Sequence, residues 1–172
     1  MIGHRCADHA VNPNTETLIV GTFNPDNPCN SADFFYGRPQ NAMWTILAKS
    51  KNVDDLKKKS KAEKIAFIHK YRIDFVDLIS EIGHTPPNYQ DRFLDRQSII
   101  KWNDVIGIIA KLKSLKRICI SRKGFSDIPN IKRHVDEISA FLSDKPIYFR
   151  CLHTPSRAHK RALPEWLDFL NR

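Results

Sequence analysis

The sequence predicts an α/β protein with three layers, α/β/α, around a central four-stranded and mostly parallel sheet. Four short apolar segments have the length of single strands. Segments with one apolar face and helical spacing separate them. Strands that alternate with helices are joined by crossovers, so the strands run parallel and helices cover both faces. No internal repeat, low-complexity segment or linker interrupts the 172 residues, which predicts a single domain over residues 1–172.

The first strand is predicted at residues 18–20. These apolar residues lead into Gly21 and then into Pro25, which cannot continue a strand ladder. An aromatic cluster follows at residues 34–36. Asn41 then opens a segment whose apolar residues have helical spacing, which predicts a helix.

The next elements are a helix, a strand and a loop. A lysine-rich stretch over residues 49–64 continues into an apolar stripe that ends at Tyr71. This pattern predicts a helix with the lysines on its solvated side. The second strand is predicted at residues 73–79, where apolar residues dominate. The polar segment over residues 83–97 contains two consecutive prolines and is predicted to be a loop.

The carboxyl-terminal half continues the same alternation of apolar strands and one-sided helices. Its predicted elements are a helix over residues 102–112, a strand over 117–120, a basic turn over 121–124, a helix over 131–142, a strand over 146–152, a loop over 153–157 and a closing helix over 161–170.

The chain is strongly basic. Its 28 Lys and Arg against 19 Asp and Glu give a formal net charge of +9 and a pI near 9.5. Such an excess favours a polyanionic partner, nucleic acid first and a membrane surface second. A surface charge that serves only solubility explains the same excess equally well.

Other features of the sequence exclude several classes of protein. No apolar run is long enough to span a bilayer and no signal-peptide pattern opens the chain, so we expect a cytoplasmic protein, associated with the nucleoid in a prokaryote. The cysteines, Cys6, Cys29, Cys119 and Cys151, are widely spaced without a CxxC pair. We therefore expect no metal, no cofactor and no disulfide, and a buried Cys119.

The loop after the first strand predicts a ligand site. In doubly wound sheets, ligands bind in the crevice where strands end and helices open. Asn24 follows the first strand, and Tyr36 and Asn41 lie near the predicted helix start. Two carboxamides and one ring are thereby expected to converge on one pocket.

Several of these segments carry a family resemblance. The segment Phe23-Asn24-Pro25 resembles the Gly-Ile-Asn-Pro motif of the mismatch-specific uracil/thymine-DNA glycosylases. Residues 36–44 resemble the aromatic-x-His-Pro-x-Asn-x-Phe-Trp segment of that branch and of the hypoxanthine-DNA glycosylases. Residues 154–157 resemble a Pro-Ser loop that enters the DNA minor groove. With further matches at 74–78 and 121–124, the chain is similar to the uracil-DNA glycosylase superfamily, nearest those two branches.

The sequence departs from the mismatch-specific pattern at three positions. Thr22 and Asp26 stand where that branch has glycines, and Arg38 stands where it has His. These departures leave open which base the protein accepts. A modified base in foreign DNA is one of the alternatives.

The resemblance implies a role for each residue of the pocket. Asn24 is expected to orient the attacking water, and Asn41 to share or take over the catalytic role. The other residues expected to bind the base are Phe23, through its backbone N–H, Tyr36, by stacking, Gly37 and Arg38. Alternatives remain for each: Asn24 as a turn residue, Asn41 as a helix cap, and at least one aromatic residue of 34–36 in the core.

A second group of residues is expected to contact DNA. Ser156 and nearby amides would hold a phosphate, and Arg157 would fill the place of the extruded nucleotide or pair with phosphate. The remaining predicted DNA contacts are Arg122, Lys123, His153, His159 and Lys160. An ordinary charged first helical turn explains the last two residues as well.

The resulting expectation is a monomeric, monofunctional DNA glycosylase that acts on double- or single-stranded DNA. It would hydrolyse the N-glycosidic bond of a flipped-out base and leave an abasic site. No lysine stands alone among apolar residues, so lyase activity is not expected. Two alternatives remain: a catalytically idle DNA-binding module of the same fold, and a hydrolase of free nucleotides or nucleosides.

Overall fold

The computed structural model describes residues 1–156 and 159–172. The strands are β1 (Ile2–Gly3), β2 (Thr17–Gly21), β3 (Ile73–Asp77), β4 (Ile79–Ile82), β5 (Ile100–Trp102), β6 (Arg117–Ile120) and β7 (Tyr148–Cys151). The helices are α1 (Met43–Ser50), α2 (Lys61–Tyr71), α3 (Asp91–Leu94), α4 (Val105–Lys111), α5 (Pro129–Leu142) and α6 (His159–Asn171).

Four strands form a central sheet in the order β3-β2-β6-β7. All three neighbouring pairs are parallel. In this register Ile19 of β2 lies beside Phe75 of β3 and Cys119 of β6. The predicted four-stranded parallel sheet is therefore confirmed.

The two faces of the sheet pack against different helices. Ile19, Phe75 and Cys119 belong to one buried cluster, which also holds residues of α1, α2 and α6. Leu18 and Val20, their neighbours on β2, belong to a second cluster with residues of α4 and α5. Because side chains alternate along a strand, each face of the sheet has its own core. The three-layer α/β/α prediction is confirmed, and so is the burial of Cys119.

A second sheet was not predicted from the sequence. Strands β1, β4 and β5 form a three-stranded antiparallel sheet. The predicted strand over residues 73–79 ends at Asp77, and the chain then enters β4. The apolar pattern continues through this junction, so it does not mark where the chain leaves the central sheet. Trp102 belongs to β5, and α4 begins at Val105, where the Asp104 side chain caps Gly107.

The lysine-rich segment also differs from its prediction. Helix α1 ends at Ser50, and α2 begins after Ser60, which forms a capping box with Glu63. Lys64 is only 2% exposed rather than solvated. Its ammonium group lies 3.3 Å from an Asp33 carboxylate oxygen and 5.5 Å from the ring centroid of Trp44. These contacts compensate its burial. The predicted loop over residues 83–97 holds the one-turn helix α3.

Phe75, in the middle of β3, lies at the centre of an aromatic cluster on one face of the sheet. Its ring lies within 5.6 Å of the rings of Phe35, Tyr36 and Trp44, centroid to centroid. We predict that Phe75→Ala lowers the free energy of unfolding by about 3–5 kcal/mol, because the vacated volume cannot fill completely. Urea denaturation measures this loss. The control Ile99→Ala removes a side chain that is 47% exposed, and it should change stability by no more than about 0.5 kcal/mol. Equal losses in both variants would contradict the packing described here.

Candidate active site

One cleft lies at the carboxyl ends of the parallel strands. Its volume is about 440 Å³, within the range of roughly 300–1,000 Å³ that is typical of small-molecule sites. The order β3-β2-β6-β7 reverses direction at β2, and such a switch point is where open α/β sheets bind ligands. The residues that line it include Gly21, Thr22, Phe23, Asn24, Tyr36, Gly37, Arg38, Gln40, Asn41, Asp77, Asp91, Arg92, Ser121, Arg122, Asp127, Thr154 and Ser156.

Asn24 is buried in the loop after β2, with one side on the cleft. Its Oδ1 accepts a hydrogen bond of 2.7 Å from Asn30 Nδ2. Asn30 Nδ2 also donates to the Pro25 carbonyl at 2.6 Å, and its Oδ1 accepts from the backbone N–H of Ala32. These main-chain contacts fix the orientation of the Asn30 amide and therefore that of the Asn24 amide. The side-chain partners of Asn24 in the described structure are Asn30 and Cys6, not its own backbone.

The aromatic cluster divides between core and cleft. Phe34 and Phe35 are buried, which confirms that at least one of the three rings belongs to the core. Tyr36 lines the cleft with a left-handed backbone, φ 54°. Its ring packs on Phe75 at 5.4 Å between centroids, and its hydroxyl donates to Ser121 Oγ at 2.8 Å. Burial, and next the nearby Asp77 carboxylate, raise the pKa of Tyr36 well above its ordinary value, so the phenol is neutral.

Gly37 follows Tyr36 at a point of close approach. A Cβ on this residue would lie 2.8 Å from Asp33 Oδ1 and 3.0 Å from the Phe34 carbonyl oxygen. The absence of a side chain therefore allows the chain to fold back at the cleft wall.

Asn41 lies on the cleft and also stabilises the start of α1. Its Oδ1 accepts from the backbone N–H of Met43 at 2.9 Å. The helix begins at Met43 rather than at Asn41, with Ala42 at the N-cap position. Among the groups that the structure describes, Asn41 Nδ2 has no hydrogen-bond acceptor, so it can donate to a ligand in the cleft. The structure thus brings Asn24 and Asn41 to the same cavity.

The loop after β7 closes one side of the cleft. Thr154 and Ser156 line it, and their hydroxyl oxygens lie 2.9 Å apart. The carbonyl of Pro155 accepts from the backbone N–H of Ala42 at 3.1 Å. This bond holds the loop against the start of α1.

Arg122 lies on the cleft, but carboxylates neutralise it. Its guanidinium group pairs with Asp91 at 2.9 Å and with Asp127 at 3.0 Å. Burial raises the pKa of Asp91, and the charge of Arg122 and a hydrogen bond from Thr22 oppose that rise. Arg122 therefore holds the carboxylates of Asp91 and Asp127 in place on one wall of the cleft.

The structure does not bring Lys123 or His153 into the cleft. Both bind the carboxylate of Glu165: Lys123 through its ammonium group, and His153 through Nδ1 and its backbone N–H, each at 2.8 Å. Burial of Glu165 opposes ionisation, but these donors lower its pKa from 4.5 to about 2. Glu165 was not visible as a partner in the sequence. Arg157 lies outside the described residues, as do the side chains of His159 and Lys160.

Sequence reasoning missed an Asp–His pair beneath the cleft. Asp77 ends β3 and lines the cleft, and its Oδ2 lies 2.7 Å from His4 Nε2. The backbone N–H of Cys6 donates to His4 Nδ1 at 3.0 Å, so Nε2 carries the proton and donates to Asp77. In the sequence, the one available signal for this pair was an aspartate within the predicted strand over residues 73–79. His4, 73 residues away, gave none.

In the described part of the chain, no group of three His, Cys, Asp or Glu side chains is placed to hold a metal ion. Among the described helices, none combines the length and apolar character that crossing a membrane requires.

The fold is similar to a solved structure. The solution NMR structure of a "putative Uracil DNA glycosylase" from Methanosarcina acetivorans superposes with a TM-score of 0.65. The match covers 94% of this chain and 92% of that one, at 19% sequence identity. No family model matches the sequence, and no curated protein matches it significantly. The comparison therefore establishes the fold and leaves the activity to be argued from the site.

The Asn24–Asn30 contact yields one prediction. Asn30 is 8% exposed, and its amide group donates to two oxygens. Asn30→Asp places a carboxylate against those acceptors, and we predict a loss of about 1–3 kcal/mol in the free energy of unfolding. Urea denaturation at neutral pH measures it. Asn14→Asp, at an exposed position, is the matched control and should change the free energy of unfolding little. An equally small effect of Asn30→Asp would contradict the orientation given for Asn24.

Glu165 yields a prediction about pH. Because folding lowers its pKa from 4.5 to about 2, its stabilisation is complete above pH 4.5 and disappears as the pH falls through 2. We predict that Glu165→Gln lowers the free energy of unfolding at pH 7 by about 1–3 kcal/mol, and that the difference from wild type shrinks below pH 4.5. Denaturant titrations over this pH range measure it.

Asp168→Asn is the control for that titration. Asp168 lies on the same helix with a side chain 62% exposed, so its effect should not exceed about 0.5 kcal/mol. A constant difference between wild type and Glu165→Gln from pH 7 to pH 2 would refute the role of Glu165.

Proposed function

We propose that this protein is a monofunctional DNA glycosylase, which hydrolyses the N-glycosidic bond of an extruded base and leaves an abasic site. The observation that carries the proposal is the convergence of Asn24, Tyr36 and Asn41 on one cavity at the switch point of the sheet. The fold shared with the Methanosarcina protein supports it independently.

The cavity suits a single base swung out of a DNA stack. Enzymes that act on bases in DNA extrude the target nucleotide into a fitted pocket and stack it on apolar or aromatic side chains. Phe23 and Tyr36 line the cavity and offer such surfaces. Stacking of this kind contributes roughly 1–3 kcal/mol per base. Gly37 and Arg38 would border the bound base.

Asn24 is the residue we assign to the attacking water. Glycosidic cleavage passes through an oxocarbenium-like state, so a positioned water and nearby negative charge accelerate it. Asn24 Oδ1 uses one lone pair on Asn30, and its second lone pair can accept from water. The Nδ2 group of Asn41 would donate to the sugar or the departing base.

The described cleft also fits the absence of lyase chemistry. A lyase attacks with an amine, and no lysine is among the described residues that line the cleft. Hydrolysis by water therefore leaves an abasic site with an intact strand.

The rim would hold the DNA backbone. Ser156 and Thr154 carry hydroxyl groups on one side of the mouth, and Arg38 and Arg92 lie on the lining. Hydroxyl, backbone and arginine groups are common phosphate contacts. The net charge of +9 would favour DNA through long-range attraction. Arg157, His159 and Lys160 remain predictions from the sequence.

A second candidate is a hydrolase of free nucleosides or nucleotides. The observation in its favour is that Asp91 and Asp127 already neutralise Arg122, while Glu165 binds Lys123 and His153. Fewer cations are then available for a phosphate backbone than the sequence suggests.

A panel of oligonucleotides separates these functions. Duplexes with single uracil, hypoxanthine, xanthine, mispaired thymine or modified cytosine are incubated with the protein, and then with alkali. Strand breaks only after alkali support the glycosylase. Binding without breaks indicates a DNA-binding module. Hydrolysis of free nucleosides without DNA binding at low salt indicates the second candidate.

Asn24 and Arg157 should separate catalysis from binding. We predict that Asn24→Ala lowers single-turnover base release about 100-fold or more with little change in DNA affinity. Arg157→Ala should weaken DNA binding more than it slows the chemical step. Gel-shift titrations and single-turnover rates measure the two effects. The exposed Asn14→Ala is the control, and equal losses of rate and affinity in Asn24→Ala and Arg157→Ala would contradict the assigned roles.

A further inference from the structure

Asp77 is a buried carboxylate that faces the cleft with one oxygen uncommitted. The residue is 6% exposed and lines the cavity. Its Oδ2 accepts from His4 Nε2 at 2.7 Å. Among the main-chain and side-chain groups that the structure describes, none donates a hydrogen bond to Oδ1. An N–H group of a ligand in the cleft can donate to this oxygen.

The end of β2 lies directly against the carboxylate of Asp77. Gly21 pairs with Asp77 at the last register position of β2 and β3. A Cβ on Gly21 would overlap Asp77 Oδ1 and lie 2.8 Å from Tyr36 Oη. The carboxylate and the phenol are therefore neighbours above Gly21.

The described donors near Asp77 use their hydrogens on acceptors other than Oδ1. The hydroxyl hydrogen of Tyr36 is used on Ser121 Oγ. Arg122 directs its guanidinium group to Asp91 and Asp127, the other carboxylates of the wall. His4 donates its single N–H to Oδ2. A ligand N–H can therefore donate to Oδ1 without displacing a protein donor.

We propose that Asp77 selects a base with an exocyclic amino group, whose N–H donates to Asp77 Oδ1. This inference rests on the proposed glycosylase function, because it names the class of base that the same cavity accepts. Ser121 also offers its own hydroxyl hydrogen to a ring nitrogen beside the amino group. Adenine-type and cytosine-type bases carry that pair of groups.

Bases with a carbonyl edge fit this carboxylate less well. In uracil, thymine and hypoxanthine, the ring N–H of the Watson–Crick edge is flanked by at least one carbonyl oxygen. Its lone pairs would approach the carboxylate of Asp77, and this repulsion disfavours binding. The protein would therefore discriminate against deaminated bases relative to their amino counterparts.

The wild-type protein supplies the first test. Release of mispaired adenine, N6-methyladenine, mispaired cytosine, 5-methylcytosine and 5-hydroxymethylcytosine is compared with release of hypoxanthine, uracil and thymine in the same sequence. We expect an amino-bearing base to be released fastest. Fastest release of uracil, thymine or hypoxanthine would overturn the inference and leave the glycosylase function intact.

The variant Asp77→Asn tests the residue itself. An amide can donate to a carbonyl oxygen, so the preference should move toward the carbonyl counterpart of the preferred base. We expect a loss of about 10- to 100-fold on the amino-bearing base. An equal loss on every base would overturn the selective role. Gly21→Ala, which displaces the carboxylate without removing it, is a second variant and should weaken the same preference.

Asp91→Asn is the matched control. It removes a cleft carboxylate that is paired with Arg122, and the order of preference among bases should not change. A thermal melt of each variant establishes that it is folded.

Duplexes with 2′-fluoro target nucleotides separate this inference from the proposed function, because they resist glycosidic hydrolysis. If no base is released from any DNA, the proposed function fails, and the affinities for these duplexes decide the inference. Tighter binding of the amino-bearing target by wild type, lost in Asp77→Asn, supports it. Equal affinities for amino and carbonyl targets overturn it.

Discussion

The absence of a side chain at Gly21 allows the site to form. Because β2 and β3 are parallel and in register, Gly21 lies beside Asp77 where both strands end. The carboxylate of Asp77 and the hydroxyl of Tyr36 approach over this glycine. Tyr36 reaches that position through a left-handed backbone and a ring that rests on Phe75. The register of β2 and β3 and the packing of Tyr36 on Phe75 therefore both determine which polar groups meet at Gly21.

Paired polar groups hold the cleft in shape. A buried carboxylate is costly unless donors satisfy it, and His4 supplies one donor to Asp77. The Asn24 amide is likewise held by Asn30, whose own orientation depends on main-chain groups. Such contacts preorganise a site before its ligand arrives, which is the usual source of catalytic electrostatics.

Much of the fold was predictable because strand and helix periodicity report burial directly. The parallel sheet followed from apolar segments such as residues 18–20, separated by one-sided helices. The antiparallel sheet did not, because the apolar pattern runs on past Asp77 into β4. Lys64 was expected in solvent, and only the folded chain places Asp33 and Trp44 around it.

The sequence placed Asn24 just after a strand and Tyr36 and Asn41 near a helix start, and the structure brings all three to one cleft. Contacts between distant residues were not predictable. His4 and Asp77 meet only through the fold, and Glu165 neutralises basic groups that the sequence presents as free.

Mass spectrometry of the reaction products from a duplex that contains the preferred base tests the proposed glycosylase function most directly. We expect one free base and one intact strand whose mass has decreased by that base and increased by one water. An unchanged strand with no free base, under conditions where the protein hydrolyses free nucleosides, would contradict that function.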